Sequence, residues 1–171
     1  MTTILGIDPG SRITGYGVIR VHDAQNMDYI DSGCIRTGIG SLSERLFIIF
    51  NGICELLEQY NPDEASIEQV FVHHNPNSAL KLGHARGVAM VACASHRLTL
   101  GEYSPREIKQ AVVGYGGAEK SQVNHMVMQL LQLEKSPQAD AADALAIAIC
   151  HSHRRNQPLI STSRKRQRRR K

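Results

Sequence analysis

Four carboxylates in this 171-residue chain stand where a fold has little structural use for a charge. Asp8 closes the apolar run Thr3–Ile7. Glu68 lies inside the short apolar segment Glu64–Val70. Asp140 and Asp143 sit three residues apart near the start of an alanine-rich stretch. That spacing places both on one face of a helix. Acids gathered in one place repel one another and raise each other's pKa, unless they share a cation. Hard divalent ions such as Mg²⁺ take oxygen ligands of this kind. Two such ions held close together can activate a water and stabilise a leaving oxygen in phosphodiester cleavage. Simpler readings exist for Asp8, Asp140 and Asp143. An Asp at a strand end forms turns, and acids in the first turn of a helix complement its dipole. The dipole accounts well for Asp140 and less well for Asp143, which lies further in.

The elements that must position these residues can be read along the chain. Thr3–Ile7 is a strand stopped by Asp8-Pro9-Gly10. Gly15–Val21 and Met27–Ile35 are strands joined by the polar stretch His22–Asn26, which suggests an antiparallel meander. Ser41 and Glu44 make a capping box that opens a helix to about Tyr60. Leu46, Ile49, Phe50, Ile53, Leu56 and Leu57 share its apolar face, and Phe47 and Phe50 are expected in the core. Glu64–Val70 is a strand, Asn77–Arg97 a long helix and Thr99–Tyr103 a strand. Ser104-Pro105-Arg106-Glu107 is a second capping box, opening a helix to about Val113. Gly114–Gly117 breaks the chain before helices over Ala118–Leu131 and Ala139–His153. The order β-β-β-α-β-α-β-α-α-α predicts an α/β fold with a mixed five-stranded sheet flanked by helices.

Composition divides the chain in two. Nine basic residues and no acidic ones fall between Arg154 and Lys171, so residues 1–153 carry a net charge of −5 although the whole chain is +4. The expected organisation is one domain over 1–153 and a basic, disordered tail over 154–171. No apolar run approaches the roughly 18 residues of a membrane span. The first residues, MTTILGID, lack the basic start of a signal peptide. Cys34, Cys54, Cys93 and Cys150 are scattered among apolar neighbours, which predicts buried free thiols and a cytoplasmic setting. His73-His74 and His151-x-His153 lack zinc-site spacing.

Six ordered segments resemble the RuvC family of Holliday-junction resolvases, within the ribonuclease-H-like superfamily. They are Gly6–Arg20 (GIDPGSRITGYGVIR), Ser32–Thr37 (SGCIRT), Ile67–Phe71 (IEQVF), Asn77–Ala89 (NSALKLGHARGVA), Lys109–Val123 (KQAVVGYGGAEKSQV) and Pro137–Ile149 (PQADAADALAIAI). The resemblance implies a ribonuclease-H-like fold. It also implies that Asp8, Glu68, Asp140 and Asp143 are the catalytic carboxylates and hold two Mg²⁺ ions per subunit, with Mn²⁺ able to substitute. The implied activity is symmetric nicking of four-way DNA junctions by a homodimer, acting with the RuvA and RuvB branch-migration proteins in recombination and repair.

The same resemblance assigns further roles. Phe71, in the loop after the Glu68 strand, would stack on an unpaired base, a contact worth roughly 1–3 kcal/mol. Its alternative is a core residue at a strand end. Lys109 and Lys120 would lie near the scissile phosphate, against the alternative of solvated surface lysines. Lys81, Arg86 and Arg12 are weaker candidates for backbone phosphate contacts. Gly83 and Gly87 form a G-x-x-x-G on the long helix. Spacing alone favours close packing against the protein's own sheet, whereas the resemblance points to a dimer interface. The basic tail would add sequence-independent phosphate contacts. Two other functions compete. Asp8-Pro9-Gly10 also suits the phosphate turn of an actin-like or sugar-kinase-like phosphotransferase, but the chain is short for two copies of that core. A non-catalytic junction-binding module would not need the acidic quartet.

Overall fold

The computed structural model describes residues 1–23, 26–70 and 76–155. Ten elements follow in the expected order: β1 (Thr2–Asp8), β2 (Ile13–Val21), β3 (Met27–Arg36), α1 (Leu42–Tyr60), β4 (Glu64–Glu68), α2 (Pro76–Ser95), β5 (Thr99–Tyr103), α3 (Pro105–Val113), α4 (Lys120–Leu130) and α5 (Ala139–Arg154). The strands form one sheet in the order β3-β2-β1-β4-β5. β1, β2 and β3 are antiparallel neighbours, as the meander predicted. β4 and β5 extend the sheet in parallel with β1. Both capping boxes are formed, Ser41 with Glu44 and Ser104 with Glu107. These were legible because each involves residues only three apart.

Side chains along β1 and β4 alternate between the two faces of the sheet. Leu5, Ile7, Ala65 and Ile67 join Ile49, Ile53 and Leu57 of α1 and Ala85, Ala89 and Ala92 of α2 in one core. Ile4 faces the other core, built mainly by α3, α4 and α5. This alternation fixes where the acids point. Asp8 lies on the same face as Ile4 and Gly6, towards α5. Glu64, Ser66 and Glu68 share that face on β4.

Helix α5 lies against the backbone of the sheet. A methyl group added to Gly6 would stand 2.1 Å from the Ala144 carbonyl oxygen, and one added to Gly15 would stand 2.0 Å from that of Asp140. Gly6 and Gly17 are cross-strand partners, and Gly15 is the partner of Asp8. Glycines on β1 and β2 and alanines on α5 thus remove the side chains that would hold helix and sheet apart. The spacing of the two elements also matches. His151, Ile147 and Asp143 recur every four residues on α5, and Glu64, Ser66 and Glu68 every two on β4. Four helical residues rise about 6 Å, and two strand residues rise about 6.6 Å. The Glu64 carboxylate meets His151 at 2.7 Å, and the Ser66 hydroxyl lies 3.4 Å from the Ile147 carbonyl oxygen. The same row carries Asp143 to the level of Glu68.

Several expectations are corrected. Phe47 is 65% exposed, and Phe50 is only partly buried, because the α1 positions that enter the core are Ile49, Ile53, Leu56 and Leu57. Cys93 and Cys150 are buried free thiols, but Cys34 and Cys54 are half-buried. α5 continues through Arg154, which pairs with Glu107, and Arg155 pairs with Glu64. The first two basic residues assigned to the tail therefore stand on the folded body. Residues 156–171 lie outside the described residues.

Candidate active site

Three of the four flagged acids meet in one cleft. Asp8 ends β1, Glu68 ends β4, and these strands are parallel neighbours in register at Ile7 and Ile67. Their last residues therefore emerge side by side at the same edge of the sheet. Asp143 reaches the cleft from α5. Every residue from Ala141 to Ser152 is buried except Asp143, which is turned towards this opening. The cleft has a volume of about 300 Å³, and Lys109 and Lys120 also line it, with Ile108, Val123, Ala146 and Ile147 as apolar walls. A smaller cleft of about 190 Å³ also borders Asp8 and Glu68, between Pro9, Val70 and Leu82. The two carboxylates are thus open on two sides. Asp140 sits one turn before Asp143, beside Gly15, and is not among the residues lining either cleft.

The electrostatics follow from crowding and burial. The Asp8 carboxyl is pushed up to about 7, first by burial and then by the charges of Glu68, Asp143 and Asp140. Glu68 is raised as well, by burial and then by Asp143, while Lys120 and Lys109 act in the opposite sense. Lys120 Nζ donates to Asp143 Oδ2 at 2.5 Å, and this bond raises the lysine's own pKa. Among the described residues, no group of three or more His, Cys, Asp or Glu side chains is already drawn into metal-ligand geometry. The donor set nevertheless suits a hard cation. It offers carboxylate oxygens alone, two of them on carboxyls whose ionisation is disfavoured until positive charge arrives.

The remaining candidates fall in different places. Arg12 and Lys81 are exposed. Arg86 is not free. Its Nε donates to the Glu68 carbonyl oxygen at 3.0 Å, and its guanidinium pairs with Glu102. Phe71, His73 and His74 lie outside the described residues. Residues that sequence reasoning passed over include Gly6, Gly15 and Gly17. Glycines inside strands were the available signal, since they often mark a close backbone approach. Thr14 was also missed. Its hydroxyl donates to the Gly10 carbonyl oxygen at 2.9 Å and so pins the turn after Asp8.

A family model for crossover junction endodeoxyribonuclease RuvC matches residues 4–151. The chain belongs to the RuvC family. The RuvC of Legionella pneumophila (strain Lens) is 69% identical over 157 residues, covering 91% of this chain and 90% of that protein. The RuvC of Marinobacter nauticus is 57% identical, over 96% of this chain and 93% of its own. Among solved structures, Thermus thermophilus RuvC in complex with a Holliday junction substrate superposes with a TM-score of 0.85 at 32% identity, covering 90% of this chain and 94% of that one. The yeast mitochondrial Holliday junction resolvase matches at a TM-score of 0.63 and 13% identity, over 88% of this chain and 78% of its own, which shows the shared fold alone. The mixed five-stranded sheet with its flanking helices is thus the RuvC fold.

Proposed function

We propose that this protein resolves four-way DNA junctions by paired, symmetric nicks, leaving 5′-phosphate and 3′-hydroxyl ends. One observation carries the reading: in a RuvC-family chain, Asp8, Glu68 and Asp143 converge on a cleft bordered by Lys109 and Lys120. Asp8, Glu68, Asp143 and Asp140 would hold two Mg²⁺ ions, with Mn²⁺ as a substitute. When bound, such ions lower the pKa of a water and stabilise the departing oxygen. The chain's own residues do the rest. The carboxylates supply oxygen ligands on three fixed elements. Lys109 and Lys120 offset phosphate charge at the cleft mouth. Burial of the acids strengthens each of these interactions. Phe71 would stack on an unpaired base, and Arg12 and Lys81 would touch phosphates further away.

A homodimer would supply the second cut. Gly83 and Gly87 face open space, because a methyl added to either would meet none of the described residues within 4 Å. They border an apolar groove of about 500 Å³ with Phe47, Phe50, Val88 and Val91. The G-x-x-x-G therefore does not serve packing on the protein's own sheet. A second copy laid along α2 would cover this groove. The protein would act in the cytoplasm on junctions handled by RuvA and RuvB. No helix among the described residues is long and apolar enough to cross a membrane.

The deciding test is incubation of a synthetic mobile four-way junction with and without Mg²⁺, beside a linear duplex. Paired nicks in the junction alone, only with the metal, are expected. Asp8→Asn and Glu68→Gln should abolish cutting while junction binding survives. Normal cutting by either variant would overturn the site assignment.

A further inference from the structure

Arg86 approaches the active site from behind. It stands in the middle of α2, and its Nε donates to the backbone carbonyl of Glu68 at 3.0 Å. A terminal nitrogen of the same guanidinium pairs with the Glu102 carboxylate. Glu102 lies on β5, opposite Ile67 in the parallel register. One planar group thus ties α2 to the last residue of β4 and to its neighbouring strand. The arginine side chain is only 19% exposed, which is little for a residue meant to meet a phosphate. Its place in the ladder also matters. The Gln69 amide still donates to the Tyr103 carbonyl at 2.8 Å, but the chain is leaving the sheet there. A charge-assisted hydrogen bond to the Glu68 carbonyl fixes that peptide plane, and with it the direction of the Glu68 side chain. Only a forked guanidinium can serve both partners in one plane.

We propose that Arg86 is a positioning residue for Glu68, clamping the end of β4 from α2 and β5 so that the carboxylate stays aimed into the cleft. This rests on Glu68 being a metal ligand, as proposed above. Arg86 then acts on metal affinity and turnover, and not as a DNA-phosphate contact.

The test uses the full-length protein and Mn²⁺ as probe. The rise of melting temperature with Mn²⁺ concentration gives an apparent affinity. Junction affinity is measured separately against salt, and cleavage kinetics give kcat and KM. Arg86→Met should weaken Mn²⁺ binding roughly 10–100-fold, the usual cost of losing a group that orients a ligand. It should lower kcat with KM for the junction unchanged, and leave the salt dependence of junction binding as it was. Arg86→Lys, which keeps the charge and loses the fork, should behave like Arg86→Met. Glu102→Gln should shift Mn²⁺ affinity in the same direction by less. Glu102 is on the exposed arm of the clamp, so that variant decides the matter if Arg86→Met does not fold. Native Mn²⁺ affinity in Arg86→Met, or in Glu102→Gln where Arg86→Met does not fold, would overturn the proposal. So would a salt slope shallower by about one in Arg86→Met and restored by Arg86→Lys, the signature of a phosphate contact. Glu68→Gln separates the two levels. If it loses Mn²⁺ affinity and Arg86→Met does not, the Arg86 assignment alone fails. If Glu68→Gln itself keeps native Mn²⁺ affinity, the metal-ligand reading fails with it.

Discussion

Asp8 is the residue on which burial and charge act together. Its carboxyl, ordinarily near 3.8, is raised to about 7 by burial and by the neighbouring acids. A folded-state pKa above the unfolded one means that the folded protein holds its proton more tightly. Stability of the metal-free protein therefore falls as pH rises from about 4 to 7, and the full penalty is present above that window. Three pK units correspond to an effect on the order of a few kcal/mol. Asp8→Asn removes the charge. In chelator at pH 8 it should melt higher than the native protein, and the difference should vanish near pH 4. Mg²⁺ should raise the melting temperature of the native protein more than that of the variant. Thermal melts across pH, with chelator or metal, check both statements. Asp8, Glu68 and the Asp140/Asp143 pair were legible in the sequence because their apolar surroundings made each conspicuous. The Lys120–Asp143 bond and the Arg86 bond to Glu68 were not. They join residues 23 and 18 positions apart through side-chain conformations that no local pattern encodes.

At the scale of elements, the site depends on how closely α5 lies on the sheet. The order of strands and helices could be read from periodicity and from the two capping boxes. The helix–sheet distance could not, because it results from glycines at 6, 15 and 17 meeting a helix more than 120 residues later in the chain. The alanines on α5 hinted at half of that contact. Gly15→Ala forces a methyl into the Asp140 backbone. It should cost about 1–3 kcal/mol or more in stability, and it should lower cleavage beyond what the lost stability explains, because Asp140 and Asp143 move with the helix. Gly117→Ala, whose methyl would meet no described residue within 4 Å, is the control for the denaturation measurement and should leave the midpoint within about 0.5 kcal/mol.

For the whole molecule, the proposed dimer along α1 and α2 and the basic C-terminal residues would govern how DNA is held. Phe47 and Val91 are 65% and 60% exposed. Replacing both by Glu should leave the protomer folded and convert a dimer to a monomer in sedimentation. The monomer should give uncoordinated single nicks in place of paired ones. A chain ending at Arg155 keeps the ion pairs with Glu107 and Glu64 and loses only the distal basic residues. It should bind junctions more weakly, with a shallower salt dependence, and melt like the full chain. Arg155 also fixes where those residues attach. α5 starts beside the carboxylates and ends over the start of β4, so Arg155 lies about 18 Å along the helix from Asp143. The described residues thus end at the end of α5 away from the carboxylate cleft. Phosphate contacts made close to that attachment point would fall on the duplex arms, about five base pairs from the crossover at 3.4 Å per step. Arm length therefore becomes a variable of recognition. Trimming the arms of a test junction should erase the difference between full and shortened chains, while the position of the nick stays where it was.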